Sequence, residues 1–71
     1  MAIYGITSKA LDYIIYDEEK RELVIKFDFR GMWEYHDVPP EAVDALVKSI
    51  EPGRYFNREI RLKFDYVRLT R

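Results

Sequence analysis

The dipeptide Pro39-Pro40 separates two kinds of hydrophobic pattern, and this division constrains the fold more than any other feature of the chain. Before it, apolar and polar residues alternate with a period of two, which is typical of β-strands. After it, four apolar residues recur at the spacing of one helix face: Val43, Leu46, Val47 and Ile50. Proline suits the first turn of a helix but interrupts a strand ladder. The sequence therefore predicts an α+β fold.

Three strands are predicted ahead of the two prolines, over residues 10–16, 22–29 and 32–38. The middle segment alternates most clearly, with four apolar residues on one side: Leu23, Ile25, Phe27 and Phe29. A charged turn over residues 17–21 and a tight turn at Arg30-Gly31 join the strands. Short turns of this kind predict an antiparallel meander. Residues 1–8 fit either a loose arm or a short edge strand.

A second helix is predicted from about residue 53 to residue 64, after Glu51-Pro52-Gly53 ends the first helix. On a helical wheel, Phe56, Ile60 and Phe64 form one apolar stripe. The wheel places Arg54, Arg58 and Arg61 on a second, basic stripe. We thus expect a three-stranded antiparallel meander followed by two helices packed on one sheet face, in a single small domain of residues 1–71.

Composition limits the class of protein. The chain has no cysteine, and no apolar run approaches the ~20 residues that a membrane-spanning helix needs. Its first residues lack the pattern of a signal sequence. Apolar residues at 48% against charged residues at 35% favour a folded domain over disorder. We expect a soluble cytoplasmic protein that does not contact membranes.

The near-neutral total charge of −1 hides two segments of opposite sign. From Gly53 onward, six Lys or Arg oppose two Asp or Glu, which gives +4. Before Gly53, six Lys or Arg oppose eleven Asp or Glu, which gives −5. A basic segment with interleaved aromatic residues suits phosphates and bases, and it equally suits an acidic protein.

The basic stripe supplies the candidate binding residues. Arginine is permanently charged and grips phosphate with two parallel hydrogen bonds, so Arg54, Arg58 and Arg61 are candidates for nucleic-acid contacts. Beside them, Tyr55 is placed to stack on a base. We expect two further cations, Lys63 and Arg68, to assist. The competing interpretation is a solvated helix face with no ligand.

The role of Trp33 and Tyr35 depends on strand register. A two-residue turn at Arg30-Gly31 points their rings away from Phe27 and makes them candidates for base stacking. A three-residue turn that includes Met32 instead pairs Phe27 with Tyr35 and sends the rings into the core. We favour the core, because a domain of 71 residues needs its rings inside.

Catalytic and metal-binding patterns are missing from the sequence. His36 is the only histidine and has no companions at metal-ligand spacing along the chain. We find no paired acid and base, no nucleophile set beside a base, and no glycine-rich phosphate loop. We therefore expect no catalytic residues, no metal and no cofactor, and we expect that the protein is not an enzyme.

Two segments together resemble a known family. They are Trp33-Glu34-Tyr35 followed by Val38-Pro39, and the segment GRYFNR at residues 53–58 followed by Ile60-Arg61. The chain resembles the KTSC domain, a short module at the C-terminus of some lysyl-tRNA synthetases that also occurs as a free-standing bacterial protein. The resemblance covers about residues 8–66. This chain departs from the family pattern by having Trp33 where Tyr is usual, and by a turn at residues 29–31 that contains a single glycine.

The resemblance implies RNA binding, a role suggested by the synthetase context, and it implies no established catalytic group. Two hypotheses follow for the partner. The first is a weak nucleic-acid-binding module, most simply for RNA, that uses the basic helix face. The second is a protein-interaction module, in which the basic face meets an acidic protein or the sheet edge accepts a strand.

Overall fold

The computed structural model describes residues 2–5, 11–27 and 31–69. Five strands form one antiparallel sheet in which every strand lies beside its neighbours in sequence, in the order β1-β2-β3-β4-β5. The strands are β1 (Ala2–Gly5), β2 (Leu11–Asp17), β3 (Glu22–Phe27), β4 (Gly31–Tyr35) and β5 (Tyr66–Arg68). The predicted meander is confirmed as β2, β3 and β4, but it is incomplete. An edge strand is added on each side.

The differences from the predicted strands lie at their ends. Residues 2–5 form the edge strand that was one of the two alternatives for this segment. The third strand starts at Gly31 and ends at Tyr35, three residues before the predicted end. β5 was not predicted at all. Ala10, Phe29 and Arg30, which the predictions assigned to strands and a turn, lie outside the described residues.

The register between β3 and β4 differs from both sequence alternatives. Ile25 lies opposite Trp33, and Phe27 lies opposite Gly31. The favoured three-residue turn had placed Phe27 opposite Tyr35, so that pairing was wrong by four residues. The shift is an even number, so the faces are unchanged and Trp33 and Tyr35 share a side with Leu23 and Ile25.

Helix α1 (Pro40–Lys48) begins where the two prolines predicted it. Pro39 holds the extended conformation that precedes the helix, and Val43 and Leu46 face the core. The helix ends at Lys48, so Ile50 lies outside it and is 97% exposed. The predicted apolar face therefore loses its last member.

The second predicted helix is shorter than expected and of mixed type. Helix α2 (Pro52–Tyr55) is a single α-helical turn, and it continues as a π-turn (Phe56–Ile60). The Arg61 N–H donates to the Phe56 carbonyl at 2.9 Å, an i→i+5 bond that defines the π-turn. Helical structure ends at residue 60, and not at the predicted residue 64.

The helical segments pack on one face of the sheet, here called the inner face. The core joins that face to α1 and the π-turn, and among the described residues it contains eleven buried apolar side chains: Leu11, Ile14, Tyr16, Leu23, Ile25, Tyr35, Val38, Val43, Leu46, Phe56 and Ile60. The Tyr16 hydroxyl donates to the Val38 carbonyl at 2.6 Å, which ties β2 to the segment before α1. No helix within the described ranges is long and apolar enough to span a membrane.

Candidate ligand-binding cleft

Five aromatic rings gather where the π-turn crosses β3, β4 and β5. This aromatic cluster consists of Phe27, Trp33, Tyr35, Phe56 and Tyr66. The register explains the grouping, because Tyr35 lies directly opposite Tyr66 and Trp33 lies directly opposite Arg68 on the inner face. Phe56 reaches the same place from the π-turn. Three strands and one helical turn thus contribute to a single cluster.

The rings contact one another edge-on or tilted. Phe56 meets Tyr35 with ring centroids 5.3 Å apart and planes at 83°, and it meets Phe27 at 5.4 Å and 64°. The Tyr66 ring contacts two others, with its centroid 5.4 Å from that of Tyr35 and 5.3 Å from that of Trp33. Such contacts add stability beyond simple burial of ring area. The five rings therefore hold one another in place.

A cleft of about 300 Å³ opens over this cluster. Its remaining walls come from the π-turn and the residues after it, namely Asn57, Arg61 and Leu62. Phe56 and Ile60 point into the core, while Asn57 and Arg61, one position further along, face the cleft. The π-turn therefore separates a core face from a cleft face within a few residues.

Several polar side chains line the cleft. Within the described parts of the chain, the side chains of Tyr35, Asn57 and Arg61 make no hydrogen bond or ion pair. Tyr35 is nonetheless only 3% exposed, so its ring is part of the core, and the residue also lines the cleft. Burial raises the pKa of Tyr35 to about 12, helped by Tyr66 and opposed by the nearby Arg61 guanidinium. A cleft in which aromatic side chains and a few polar groups converge is a candidate ligand site.

The predicted arginine stripe is divided between two places. Arg54 and Arg58 line a separate shallow groove beside Tyr55, whereas Arg61 belongs to the cleft. The prediction of one continuous basic stripe was wrong, because the π-turn has more residues per turn than the α-helical wheel assumed.

Carboxylates already engage the cations outside the cleft. Arg54 pairs with Glu51 at 3.3 Å. Glu59 accepts from Lys63 at 2.9 Å and also contacts Arg58 at 3.3 Å. The hydrogen bond from Lys63, aided by both cations, lowers the pKa of the Glu59 carboxyl. Of the three predicted arginines, Arg61 is the one with no carboxylate partner among the described residues.

The remaining predicted residues are placed as follows. Tyr55 is half-buried and packs against the core. Arg68 lies over the Trp33 ring at 5.1 Å from its centroid, so one indole face carries a cation. Tyr35 is too deeply buried to stack on a base, which removes it from the predicted stacking pair. Trp33 is half-buried and reaches the cleft.

Two residues of the cleft were missed by the sequence predictions. Tyr66 is 52% exposed and Leu62 is 82% exposed, and both line the cleft. Tyr66 lies on the strand that was not predicted, and Leu62 follows the π-turn. Their exposure as large apolar side chains is the only sign they give, and it is visible only once the fold is known.

A second cluster lies on the outer face of the sheet. His36 Nε2 lies 3.4 Å from Glu34 Oε1, and His36 Nδ1 lies 3.8 Å from Glu22 Oε2. Three ligand atoms from these side chains fall within 4.8 Å of one another. His36 has no companions at metal-ligand spacing along the chain, and strand pairing is what brings the two glutamates beside it. This donor set can hold a divalent cation, and the carboxylates can equally pair with a protonated His36.

Comparison with known proteins identifies the family. The model of the KTSC domain matches residues 7–64, and the chain belongs to this family. The predicted resemblance is thus confirmed. The two segments that carry it, around Trp33 and around Arg61, meet at the aromatic cleft.

The relatives differ in size. An uncharacterised protein of Stutzerimonas stutzeri is 36% identical over 54 residues, which span 76% of each chain. A lysine–tRNA ligase of Nostoc punctiforme is 33% identical over 55 residues, covering 78% of this chain but 10% of the ligase. The crystal structure of a KTSC domain protein from Yersinia pestis superposes with a TM-score of 0.91 at 28% identity, covering 97% of this chain and all of that one.

Proposed function

We propose that this KTSC domain is a non-catalytic module that binds single-stranded RNA weakly through the aromatic cleft. The observation that carries the proposal is Arg61, a guanidinium without a carboxylate partner among the described residues, beside exposed aromatic surface. Aromatic rings stack on bases of any identity, and arginine holds the phosphate. Arg68, which lies over Trp33, extends positive charge along the same edge.

We favour RNA over other anions because a related segment forms part of a lysine–tRNA ligase, an enzyme that acts on tRNA. An appended module that holds RNA weakly would raise the local concentration of that substrate. We transfer only this general affinity for RNA to the present chain.

A matched pair of arginine variants tests the proposal. Arg61→Gln and Arg54→Gln remove the same charge from exposed positions, but only Arg61 lines the cleft. Titrating labelled single-stranded RNA at low salt, we expect Arg61→Gln to weaken binding about tenfold, the effect of one charge-assisted contact. Arg54→Gln should change the affinity less than about threefold. Equal losses in both variants would leave only non-specific attraction to basic charge.

Salt dependence gives an independent check on the size of the contact. Two or three phosphates bound as a single strand predict a slope of log K against log salt of about −1.4 to −2.1. A much steeper slope would indicate that the separate groove of Arg54 and Arg58 also holds the strand.

The second candidate function is protein binding at a sheet edge. β5 is a short edge strand with all three residues exposed, including Val67 at 52%. A strand at the edge of a sheet can pair with an added strand through its backbone. Capture of one defined protein that survives nuclease treatment, and is lost on Val67→Pro but kept on Arg61→Gln, would favour this function over RNA.

A further inference from the structure

The cleft has room for one ring system. Its volume of about 300 Å³ lies at the lower end of the range for ligand pockets. The floor is formed by rings that already pack edge-on against one another, such as Tyr35 and Phe56, so it cannot widen without disturbing the core. This volume accommodates a single unstacked base.

Two exposed apolar side chains line the cleft. Leu62 is 82% exposed and Tyr66 is 52% exposed. Neither is buried in the core, so both side chains can pack against a planar base. Other exposed apolar residues do not share this arrangement: Ile50 is 97% exposed and lines the shallow groove of Arg54 and Arg58 instead.

The polar groups match the other parts of a nucleotide. The Asn57 amide offers a donor beside an acceptor, the pattern that base edges present. The Tyr35 phenol and the exposed Arg61 guanidinium make no hydrogen bond or ion pair within the described residues. No buried side-chain polar atom among the described residues lacks a partner, so these groups are open to solvent or to a ligand.

We propose that the aromatic cleft takes one unpaired nucleotide, with the base packed against Leu62 and Tyr66 and its phosphate on Arg61. This inference rests on the proposed function, because it uses the same cleft, and it adds the size of the unit that is recognised. A nucleoside monophosphate is then a sufficient ligand, whether it is free or is an unstacked residue of a longer RNA.

Nuclear magnetic resonance titration of the 71-residue chain tests the proposal with three probes: adenosine 5′-monophosphate, adenosine and ribose 5-phosphate. The Trp33 indole and Asn57 amide signals report on the cleft. We expect the nucleotide to shift both signals saturably. Adenosine should shift the same signals with about tenfold weaker affinity, and ribose 5-phosphate should not shift the indole signal.

Two variants separate the base from the phosphate. Arg61→Gln should weaken the nucleotide about tenfold and leave adenosine unchanged. Leu62→Ser should weaken both ligands by a similar factor of about three to ten, because it removes one of the two exposed apolar side chains that line the cleft. Ile50→Ser, an equally exposed apolar position outside the cleft, serves as the control and should change neither.

Longer RNA distinguishes the source of the nucleotide. A blunt RNA hairpin and the same hairpin with one unpaired nucleotide should differ about tenfold in affinity, in favour of the unpaired form. If single-stranded RNA binds in an Arg61-dependent way but the mononucleotide leaves Trp33 and Asn57 unshifted, the one-nucleotide inference fails and the proposed function stands. If neither RNA nor mononucleotide binds, both fail. Equal binding of nucleotide and ribose 5-phosphate would also overturn the inference.

Discussion

The Tyr35 ring is part of the core and also lines the cleft, and its burial changes the pKa of its hydroxyl. Its pKa rises from the ordinary value of 10.0 to about 12 because burial disfavours the phenolate. The folded state thus holds the proton more tightly than the unfolded state. The resulting stabilisation is complete below pH about 10 and is lost as the pH rises towards 12.

We therefore predict that the free energy of unfolding falls between pH 10 and 12 by on the order of 2 kcal/mol from Tyr35 alone. Denaturant titrations at several pH values measure this loss. Tyr35→Phe should make the decline shallower, although Tyr16, whose pKa burial also raises, keeps part of it. An unchanged decline in the variant would contradict the assignment.

A second residue-scale prediction concerns the Tyr16 hydroxyl. It donates to the Val38 carbonyl at 2.6 Å in a buried site. Tyr16→Phe leaves that carbonyl unsatisfied and should lower the free energy of unfolding by about 1–3 kcal/mol. Tyr13→Phe, on the outer face of the same strand, removes a hydroxyl without a hydrogen-bond partner among the described residues and should cost less than about 0.5 kcal/mol. Denaturant midpoints decide between the two.

At the scale of the elements, the β3–β4 connection depends on Gly31. Its φ of 84° is a left-handed conformation that other residues adopt with strain. Gly31→Ala should therefore destabilise the fold by about 1–2 kcal/mol. Gly5→Ala is the control, because its φ is not positive and a Cβ there meets nothing within 4 Å. Equal thermal midpoints for Gly31→Ala and Gly5→Ala would contradict the prediction, because a side chain at residue 31 would then cause no backbone strain.

The elements also show how far the sequence predicts the fold. Alternation was enough to locate β2, β3 and β4, and Pro39-Pro40 located the start of α1. β5 was not predicted because the segment Tyr66–Arg68 is too short to show a period of two. The π-turn was not predicted because Phe56 and Ile60 lie four residues apart, a spacing that an α-helix accommodates equally well.

The candidate site was harder to predict than the fold. Arg61 and Trp33 were predicted as site residues from the sequence, but no sequence pattern indicates that they lie near Tyr66. Their meeting depends on the register of β4 with β5, which pairs Tyr35 with Tyr66 and cannot be read from an unpredicted strand. The same limitation hid the glutamates beside His36, which come from two strands.

For the molecule as a whole, the small size leaves little reserve of stability. A domain of 71 residues has a typical free energy of unfolding of about 4–10 kcal/mol. Leu46 is fully buried between α1 and the sheet, and Leu46→Ala should cost about 2–5 kcal/mol. We expect circular dichroism near body temperature to detect a fraction of unfolded protein in the Leu46→Ala variant.

Ile50→Ala provides the contrast to Leu46→Ala. The sequence assigned both residues to one helix face, but Ile50 is 97% exposed beyond the end of α1. Its truncation should change the free energy of unfolding by less than about 0.5 kcal/mol. A large loss in this variant would mean that a surface covers Ile50 in solution, for example through self-association.

The π-turn also bears on which changes in chain length the family can accept. Removing one residue between Phe56 and Arg61 would convert the i→i+5 bond into an ordinary helical one and rotate everything that follows. Either Ile60 would leave the core or Arg61 would leave the cleft. Insertions and deletions among homologues should therefore avoid this interval, while the exposed turn over residues 18–21 should tolerate them.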